Sequence, residues 1–469
     1  MQPVLTVAEM QAVDARAQSS ISLDVLVERA GTAVAGAALD LMGGAYGRRV
    51  VVVAGKGNNG ADGRVAASVL ERRGARVEVI DVSEAPPRIG PADLVIDAAF
   101  GTGFRGEYRA PTVASGTPVL AVDIPSGIDG DSGVASGSPL AAARTVTFAA
   151  LKPGLVQADG PALAGWVTVA DIGLPVEGAR VQAMTDGDID DLLPARPRNA
   201  HKWMSAVLVV AGSPGMTGAA AMCAMAAYRA GAGMVRLGIP GADVGQTPAS
   251  EAVSVPLPKA GWADEALTQA ERCRVVVVGP GIGRDESTAT DLRRLVARSP
   301  VPVVVDADGL YALGHVEAPL ASASTVVLTP HDGEYQRLAG RAPGSDRIVA
   351  ARQLAEASGA VALVKGTTTA VADPGGRVVL GLAGTPALAT AGTGDVLSGV
   401  IAAFVARGVA PLEAAGLAAH VHGRAAADGA AEGLVAGDLP GLVSDVLSRS
   451  RAASAGPAAP PSRSSVRRG

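Results

Sequence analysis

The hydrophobic residues of this chain fall into short, continuous, valine-rich runs, and longer alanine-rich stretches with helical spacing separate them. Four runs occur early and five later, at residues 48–55, 76–82, 93–100 and 117–125, then 205–212, 273–281, 301–309, 325–334 and 360–366. Continuous rather than alternating apolar runs indicate strands buried on both faces, as in parallel sheets covered by helices. The repeated order of strand, loop and helix therefore predicts an α/β architecture.

A stretch without hydrophobic period separates the two series of strands. It reads TDGDIDDLLPARPRNAHK at 185–202, first acidic and then rich in proline and arginine, and we expect a domain boundary near residue 190. The segment RAASAGPAAPPSRSSVRRG at 451–469 has the low-complexity composition of a disordered tail. The prediction is two α/β/α domains of three layers each, 1–190 and 191–450, followed by a disordered tail at 451–469.

Composition narrows the class of protein. The chain has 469 residues, 48% of them hydrophobic but only 3% aromatic, so large cores must be built mainly from alanine and branched aliphatic residues. A net charge of −5 is mild for this length and argues against nucleic acid as the main partner. Cys223 and Cys273 lie in apolar surroundings and are interpreted as core residues. Without a leader pattern or a long apolar segment, we expect a cytoplasmic protein with no membrane partner.

The first loop with chemical character is AGKGNNGADGR at 54–64, which follows a strand and precedes a helix. Its glycines satisfy G-x-G-x-x-G and Asp81 ends the next strand, which is the dinucleotide-binding pattern and leaves an NAD(P)-dependent oxidoreductase open as an alternative. Asn58, Asn59 and Asp62 are unusual in such a turn. Amide and carboxylate oxygens suit a cation, or the hydroxyl and amide groups of a ligand.

Two further loops follow strands of the first half, FGTGFRGEYR at 100–109 and DIPSGIDGDSG at 123–133. Because the carboxyl ends of parallel strands meet at one edge of a sheet, Asn59, Asp97, Asp123 and Ser126 are expected to converge there. Oxygen ligands with few opposing positive charges favour a bound monovalent cation. The alternative is that Asp97 and Asp123 only cap their loops by accepting backbone hydrogen bonds.

The motifs NNGADG, DAAFGTG and DIPSG, with LVERAG at 26–31 and FAALKPGL at 148–155, resemble the epimerase domain of the NAD(P)H-hydrate repair enzymes. The resemblance implies a Rossmann-like domain that binds K⁺ through Asn59, Asp97 and Ser126, with Asp123 as a catalytic residue in contact with the substrate. It departs from the family at Ala61, where a second glycine is usual. The implied substrate contacts are Asn58, Asn59, Gly60, Ala61, Asp62, Gly101, Thr102, Gly103, Phe104, Arg105, Gly106, Glu107 and Asp123.

In the second half, the stretch AGTGDVLSG at 391–399 opens an apolar helix with a glycine-rich turn. The N–H groups of Gly392, Thr393 and Gly394 are expected to face a developing anion at the helix N-terminus. Asp395 beside them would accept the proton of a substrate hydroxyl that then attacks a phosphate. The alternative is that Asp395 is an ordinary acidic residue in the first turn of a helix.

Six ordered motifs, GMTGAA, RAGAG, GPGIG, LTPHDGE, VKGTTT and AGTGDVLSG, resemble the ribokinase-like NAD(P)H-hydrate dehydratases. The resemblance implies removal of the C6 hydroxyl of hydrated NAD(P)H at the expense of ADP, giving AMP and phosphate. Asp395 is the implied catalytic residue, and Gly233, Gly283 and His331 are further implied contacts to the hydrate. The implied nucleotide contacts are Lys365, Gly366, Thr367, Thr368, Thr369 and Gly394.

Two features of the second half remain open at this stage. The pairs Asp306/Asp308 and Asp332/Glu334 would suit Mg²⁺ bound together with phosphates, or would merely cap loops. Trp203-Met204-Ser205 stands where the family commonly has a small glycine-containing turn, and a tryptophan there would change access if the turn closes over the site.

The two predicted domains would act in the same repair reaction. Hydration at C6 creates a stereocentre, and a dehydratase with a fixed base and phosphate donor reaches one epimer only, so a fused epimerase would supply it with the other. We expect NADHX, NADPHX and ADP as small-molecule substrates, K⁺ and Mg²⁺ as cofactors, and a homo-oligomer. The alternatives are the oxidoreductase, a small-molecule kinase with a regulatory first domain, and a first domain that is only a nucleotide-binding interaction module.

Overall fold

The structure is a computed structural model that describes residues 1–243, 249 and 251–454. Its tertiary contacts divide it into two units, of which the first contains Gln2–Ala183 and the second contains Met184–Pro343 and the chain from Ile348 onward. The boundary expected near residue 190 is therefore slightly later than this division. Most of the predicted tail lies outside the described residues, although the last helix runs to Ser454.

The first unit is built on six parallel strands in the order β3-β2-β4-β6-β8-β9. This unit also contains a small parallel pair, β5 with β7, and an antiparallel pair, β1 with β10. The elements of this unit are β1 (Gln2–Val4), α1 (Val7–Ala17), α2 (Leu23–Met42), β2 (Arg49–Ala54), α3 (Asn58–Arg72), β3 (Arg76–Asp81), β4 (Leu94–Ala98), β5 (Tyr108–Arg109), β6 (Val119–Val122), β7 (Gly137–Ser138), β8 (Arg144–Phe148), α4 (Pro153–Val156), α5 (Gly160–Ala164), β9 (Trp166–Ala170) and β10 (Val181–Ala183).

The second unit contains a sheet with nine strands in the order β19-β18-β17-β16-β15-β14-β11-β12-β13. The pairs from β17 to β13 are parallel, whereas β17, β18 and β19 pair antiparallel. Its elements are α6 (Asp188–Leu192), β11 (Ala206–Val210), α7 (Thr217–Arg229), β12 (Met234–Gly238), β13 (Val253–Val255), α8 (Ala263–Ala270), β14 (Val275–Val278), α9 (Glu286–Arg298), β15 (Val303–Val305), α10 (Asp308–Leu313), β16 (Val326–Leu328), α11 (Asp332–Ala339), α12 (Arg347–Ser358), β17 (Val361–Val364), β18 (Thr369–Ala372), β19 (Val378–Gly381), α13 (Thr393–Ala406), α14 (Pro411–Asp428) and α15 (Leu439–Ser454).

Burial of both sheet faces explains the unbroken valine runs. Along β2, Val50 and Val52 pack into the core on one face, whereas Val51 and Val53 pack into the core on the other. Each strand residue therefore loses contact with water whichever way it points, and the pattern predicted from the sequence is confirmed. Cys223 and Cys273 are buried and unbonded to each other, as expected for core residues.

Several strands were missed because their sequences lack such runs. β8 carries the buried threonines Thr145 and Thr147, which interrupt its apolar pattern. β9 is an edge strand, and it begins with Trp166, which is 75% exposed. Within the described ranges, no helix combines the length and the apolar character needed to cross a bilayer.

Candidate active sites

A cavity of about 670 Å³ opens at the carboxyl end of the first unit's sheet. The loops after β2, β4, β6 and β8 contribute to its wall, and α1 and α2 complete it with residues such as Met10, Leu23 and Leu26. Parallel strands bring the ends of separate loops together in this way, so the expected convergence is what the fold produces.

A buried ion pair forms one wall of the cavity. Lys152, 2% exposed, donates from Nζ to Asp123 Oδ1 at 2.6 Å, to Thr147 Oγ1 at 2.8 Å and to the Phe148 carbonyl at 3.1 Å. Thr147 Oγ1 also donates to Asp123 Oδ1 at 2.9 Å. Asp123 has a φ of 64°, a conformation that non-glycine residues rarely adopt, so the backbone directs this carboxylate at some cost in strain.

Two more carboxyl groups face the same cavity. Burial and, secondarily, the charge of Asp123 raise the pKa of Asp62 to about 8. Burial likewise raises the pKa of Asp14 on α1, although the ammonium of Lys152 opposes this shift. The cavity thus brings together carboxyl groups in different electrostatic surroundings, which is the arrangement required for acid–base chemistry.

Of the predicted cation ligands, Asn59 lines this cavity, whereas Asp97 and Ser126 do not. Asn59 is buried, and neither Oδ1 nor Nδ2 has a hydrogen-bond partner. The carboxylate of Asp97 accepts from Ser126 Oγ at 2.6 Å and from Ser126 N at 2.9 Å, and burial raises its pKa. A buried amide oxygen without a donor, and a buried carboxylate bonded to a hydroxyl, are groups that fit an oxygen-coordinated monovalent cation.

Helical spacing separates residues 58–62, all predicted substrate contacts, into those that line the cavity and those that do not. Asn58, Asn59 and Asp62 share one face of α3 and line the cavity, whereas Gly60 and Ala61 do not. A Cβ on Gly60 would lie 1.9 Å from the Gly55 carbonyl oxygen, so Gly60 allows close packing against the end of the strand. Ala61 lies within the helix without a positive φ, so its methyl group is tolerated.

The predicted contacts of the loop at 101–107 also fall into residues that line the cavity and residues that do not. Residues 101–104 line the cavity, but Arg105, Gly106 and Glu107 do not. Arg105 donates to the Phe104 carbonyl at 2.7 Å, and Glu107 is engaged by Arg109 Nε at 3.1 Å. Local pairing occupies the side chains of Arg105 and Glu107, and the substrate contacts implied for residues 105–107 stay predictions.

The candidate site of the second unit lies where α13 begins. Gly392, with a φ of 91°, is its N-cap and supplies no side chain to cap the first turn. Three backbone N–H groups, those of Gly392, Thr393 and Gly394, were expected to face an anion. The N–H of Thr393 instead donates to the Thr390 carbonyl oxygen at 3.4 Å, so it is not free for this purpose. The first turn nevertheless keeps the positive end of a helix of 14 residues, which attracts an anion.

An ion pair lies directly under this helix start. Lys365 Nζ donates to Asp306 Oδ1 at 2.8 Å and is 3.8 Å from Glu334 Oε2. Ser398 on α13 donates to the other oxygen of Asp306 at 2.8 Å. Burial alone would lower the pKa of Lys365, but the carboxylates of Asp306 and Glu334 together raise it.

Asp395 is a carboxyl group of this site to which the lysine does not bond. Burial raises its pKa to about 7, and the charge of Asp306 adds to the shift while Lys365 opposes it. A Cβ on the neighbouring Gly394 would lie 3.3 Å from Lys365 Nζ, so Gly394 leaves room beside the ammonium. A carboxylate whose pKa is near neutral is well suited to accept a proton from a hydroxyl.

Neighbouring loops add polar groups to the same edge of the sheet. Asp308 accepts from Gly283 N at 3.1 Å and from Arg284 Nε at 2.6 Å. His331 is the N-cap of α11, and its Nδ1 accepts from Gly333 N at 3.0 Å. Gly283 and His331, two of the residues predicted to contact the hydrate, therefore lie at this edge of the sheet. One ring nitrogen of His331 is already used to cap α11. No cluster of three or more metal-ligating side chains (His, Cys, Asp or Glu) occurs among residues 1–243, 249 and 251–454.

Residues 365–368 form the turn between β17 and β18, and Thr369 begins β18. Thr367 is exposed, whereas Thr368 is buried, and Thr369 Oγ1 donates to the Gly366 carbonyl at 3.2 Å. This turn lies at the carboxyl end of β17, beside Lys365, so the structure brings the predicted nucleotide contacts to the start of α13 with Gly394.

Gly233 does not lie at this carboxyl edge of the sheet. It directly precedes β12, and its N–H donates to Ser205 Oγ at 2.9 Å, which places it at the amino ends of β11 and β12. The RAGAG motif therefore has a packing role there, since a Cβ on Gly233 would meet the Lys202 carbonyl oxygen at 2.6 Å. Trp203 lies at the same amino end, with Arg272 Cζ 4.3 Å from its ring centroid, and does not close over the site of its own unit.

Sequence reasoning missed Asp14 and Lys152 in the first site, and it left Asp306 outside the list of site residues. The rarity of lysine was a usable signal, because the chain has only five lysines among 40 basic residues and two of them hold carboxylates in these sites. Asp14 lies on an ordinary amphipathic helix, and nothing in its local pattern marks it.

Comparison with family models agrees with the division into two units. A model described as NAD(P)H-hydrate dehydratase matches residues 207–449. A model described as YjeF-related protein N-terminus matches residues 23–89 and 81–154.

Comparison with known proteins gives relatives along nearly the whole chain. The bifunctional NAD(P)H-hydrate repair enzyme Nnr of Mycobacterium leprae is 39% identical, over 97% of this chain and 99% of its own length. The enzyme of the same name from Salinibacter ruber is 38% identical, over 90% of this chain and 91% of its own. The ADP/ATP-dependent NAD(P)H-hydrate dehydratase of Bacillus subtilis, crystallised with ATP/Mg²⁺, is 26% identical with a TM-score of 0.51, and the match covers 58% of this chain and 100% of that one.

Proposed function

The chain belongs to the bifunctional NAD(P)H-hydrate repair enzymes, and from that premise we propose how its two units divide the repair of hydrated NADH and NADPH. The first unit interconverts the R and S hydrates, and the second dehydrates the S form at the expense of ADP. The observation that carries this proposal is that each unit has, at the carboxyl edge of its sheet, a carboxyl group with a strongly raised pKa, Asp62 in one and Asp395 in the other.

In the first unit, the 670 Å³ cavity accommodates the hydrated nicotinamide and its ribose phosphate. We assign substrate contact to Asn58, Asn59, Asp62, Asp123 and residues 101–104. Asn59, Asp97 and Ser126 would hold K⁺, which supplies positive charge that offsets the buried carboxylate of Asp97. This chain's own contribution is to orient the ring against Asp123.

In the second unit, Asp395 accepts the proton of the C6 hydroxyl, and that oxygen attacks the terminal phosphate of ADP. AMP leaves, and the phosphorylated C6 position then loses phosphate as the lone pair of the ring nitrogen expels it and a proton leaves C5. The products are the intact coenzyme, AMP and phosphate. The start of α13, Gly394 and Lys365 stabilise the negative charge on the transferred group.

The charge around this site supports a role for Mg²⁺. Asp306, Asp308, Glu334 and Asp395 all act on the same small region, and Lys365 opposes them. A phosphate would be repelled there unless a cation came with it. Asp306 and Asp308 already accept hydrogen bonds from protein donors, so Mg²⁺ would be held mainly by phosphate oxygens and water.

The oxidoreductase alternative loses its structural basis. The carboxylate of Asp81, which would have to bind a ribose, accepts from Ser83 N at 2.9 Å and lies 3.8 Å from Arg64. It does not line the cavity. The G-x-G-x-x-G pattern instead allows close packing of α3 on the strand end.

The proposed function is tested by incubating the full chain with a mixture of both hydrates. With ADP, both epimers should return to NAD(P)H faster than spontaneous epimerisation permits, with one AMP and one phosphate formed per coenzyme. ATP in a parallel reaction defines the nucleotide preference. A stable phosphorylated product would instead identify a small-molecule kinase. The cytoplasmic location and the homo-oligomer remain predictions, to be checked by cell fractionation and light scattering.

A further inference from the structure

We propose that Asp62 and Asp123 act as an acid–base pair that opens and recloses the hydrated ring in the first unit, with Asp62 as the proton donor and Asp123 as the proton acceptor. This inference rests on the proposed epimerase function. It assigns a chemical step to Asp62, which the resemblance marks only as a substrate contact, and a positioning role to Lys152.

The surroundings of the two carboxyl groups differ. Asp123 accepts two hydrogen bonds, from Lys152 at 2.6 Å and from Thr147 at 2.9 Å, and Lys152 is fixed in turn by the Phe148 carbonyl. Asp62 is 6% exposed, and among the residues that the structure describes, it has neither a hydrogen-bond donor nor a counter-ion. The ammonium therefore stabilises the charged form of Asp123, while burial favours the neutral form of Asp62.

None of the charged groups that face the cavity pairs with Asp62 among the described residues. The charged groups facing the cavity are Asp14 of α1, Lys56 before α3, Asp123 after β6 and Lys152 after β8. Helix α2 presents only apolar side chains to it, such as Leu26 and Ala30. Lys152 is committed to Asp123, so no cation is left to stabilise an ionised Asp62 from that side of the cavity.

The chemistry follows from the hydrate being a carbinolamine, with a hydroxyl and a ring nitrogen on the same carbon. Asp123 removes the hydroxyl proton, C6 becomes a carbonyl carbon, and the C6–N1 bond breaks. Asp62 gives its proton to N1, which becomes an open-chain enamine nitrogen. After rotation about the C5–C6 bond, N1 attacks the other face of the carbonyl, and both protons return to their donors. Atoms and charges balance without a further reactant.

The position of the two groups favours this route over loss and return of water. Asp62 and Asp123 interact electrostatically and line one cavity, which suits a single bond lying between donor and acceptor. Exchange of water would require protonation on one face of the ring and water activation on the other. Ring opening also retains the original oxygen atom at C6.

The test is the interconversion of purified R and S hydrates by the full chain without ADP. Asp62→Asn should lower the turnover number roughly 10²- to 10⁴-fold, the usual contribution of a general acid. Asp93→Asn is the matched control, since Asp93 accepts from Arg49 N at 2.8 Å just before β4, outside the cavity. Dehydration of pure S hydrate with ADP by the same Asp62→Asn protein verifies that the chain is folded.

Two further readouts separate an acid from a merely structural residue. Turnover by the unaltered protein should fall as the pH rises through about 8, where Asp62 loses its proton, and Asp62→Glu should keep such a fall. Hydrate labelled with ¹⁸O at C6 should epimerise with its label retained during early turnover.

The outcomes are distinguishable. If the unaltered chain does not accelerate interconversion, the proposed function itself fails. If it does, but Asp62→Asn is as fast as Asp93→Asn, the inference about Asp62 fails and the epimerase function stands. Loss of the label at the rate of epimerisation would overturn ring opening.

Discussion

The two candidate sites are built from the same three parts and use them differently. Each has a lysine bonded to one carboxylate, Lys152 to Asp123 and Lys365 to Asp306. Each also has a second carboxyl group that the lysine does not bond, Asp62 or Asp395. In the first site, the lysine holds Asp123, one of the two groups proposed to react, whereas in the second it holds Asp306 and leaves Asp395 to react.

This difference sets the charge state of the second carboxyl group. Asp62 lies one turn inside α3, and burial, with the charge of Asp123 in second place, raises its pKa to about 8. Asp395 lies in the first turn of α13, and burial raises its pKa to about 7, with Asp306 adding to the shift and Lys365 opposing it. Similar parts therefore yield a proton donor in one unit and a proton acceptor in the other.

The largest expected effect comes from Asp395→Asn. Dehydration of the S hydrate should fall roughly 10²- to 10⁴-fold because the proton acceptor is lost, while interconversion of the epimers continues. AMP release with pure S hydrate measures the first activity, and chromatography without ADP measures the second. Asp264→Asn, an exposed carboxylate in the first turn of α8, is the control. Equal loss of both activities would mean that the two units do not work separately.

Replacing each of the two lysines should lower the free energy of unfolding by a different amount. Lys365→Met leaves Asp306, whose side chain is 1% exposed, without its ammonium, and breaking such a buried pair costs about 3–5 kcal/mol. Lys152→Met should cost less, because the side chain of Asp123 is 16% exposed and borders the cavity, where water can reach it. Denaturant unfolding of each variant measures both costs. A greater loss for Lys152→Met would contradict this ranking.

The two activities should respond to pH in opposite directions. Dehydration should fall about tenfold per pH unit below about 7, as Asp395 becomes protonated and can no longer accept a proton. Interconversion should fall above about 8, as Asp62 loses the proton that it donates. Initial rates of each half-reaction across pH 5–10 would show this, and parallel profiles would count against distinct roles.

The smallest effect is expected at Trp203. Its ring interacts with Arg272 at 4.3 Å and Arg236 at 5.9 Å, contacts worth about 0.5–1 kcal/mol at an accessible position. Because Trp203 lies at the amino ends of the strands, Trp203→Ala should lower stability slightly and leave both activities unchanged. A changed KM for the hydrate would show that this turn reaches a site after all, for example that of a second copy.

The sequence predicted best what depends on short-range patterns. Continuous valine runs located the central strands, and glycine turns before helices located both sites, because each pattern has a local physical cause. Edge strands such as β9 were missed, since their burial depends on tertiary neighbours. The motif around Gly233 could not show that this residue lies at the amino end of β12, because a motif does not say at which end of its strand it lies.

The same limit applied to the reactive groups. Asp123 and Asp395 were predicted as catalytic residues because they stand in glycine-rich stretches. Asp62 was named only as a contact, since its raised pKa arises from burial and from a carboxylate distant in the chain. Lys152 and Asp14 were missed for the same reason. Only the fold brings their side chains to one cavity, and nothing in the local sequence indicates this.

The most direct test of the account is to combine two inactive variants. Asp123→Asn with ADP should consume the S hydrate quickly and then stall at the spontaneous rate, and Asp395→Asn should interconvert the epimers without consuming them. Because the S hydrate can diffuse between molecules, an equal mixture of the two variants should return both epimers to NAD(P)H. If the mixture still leaves the R hydrate behind, the division of labour between the two units is wrong.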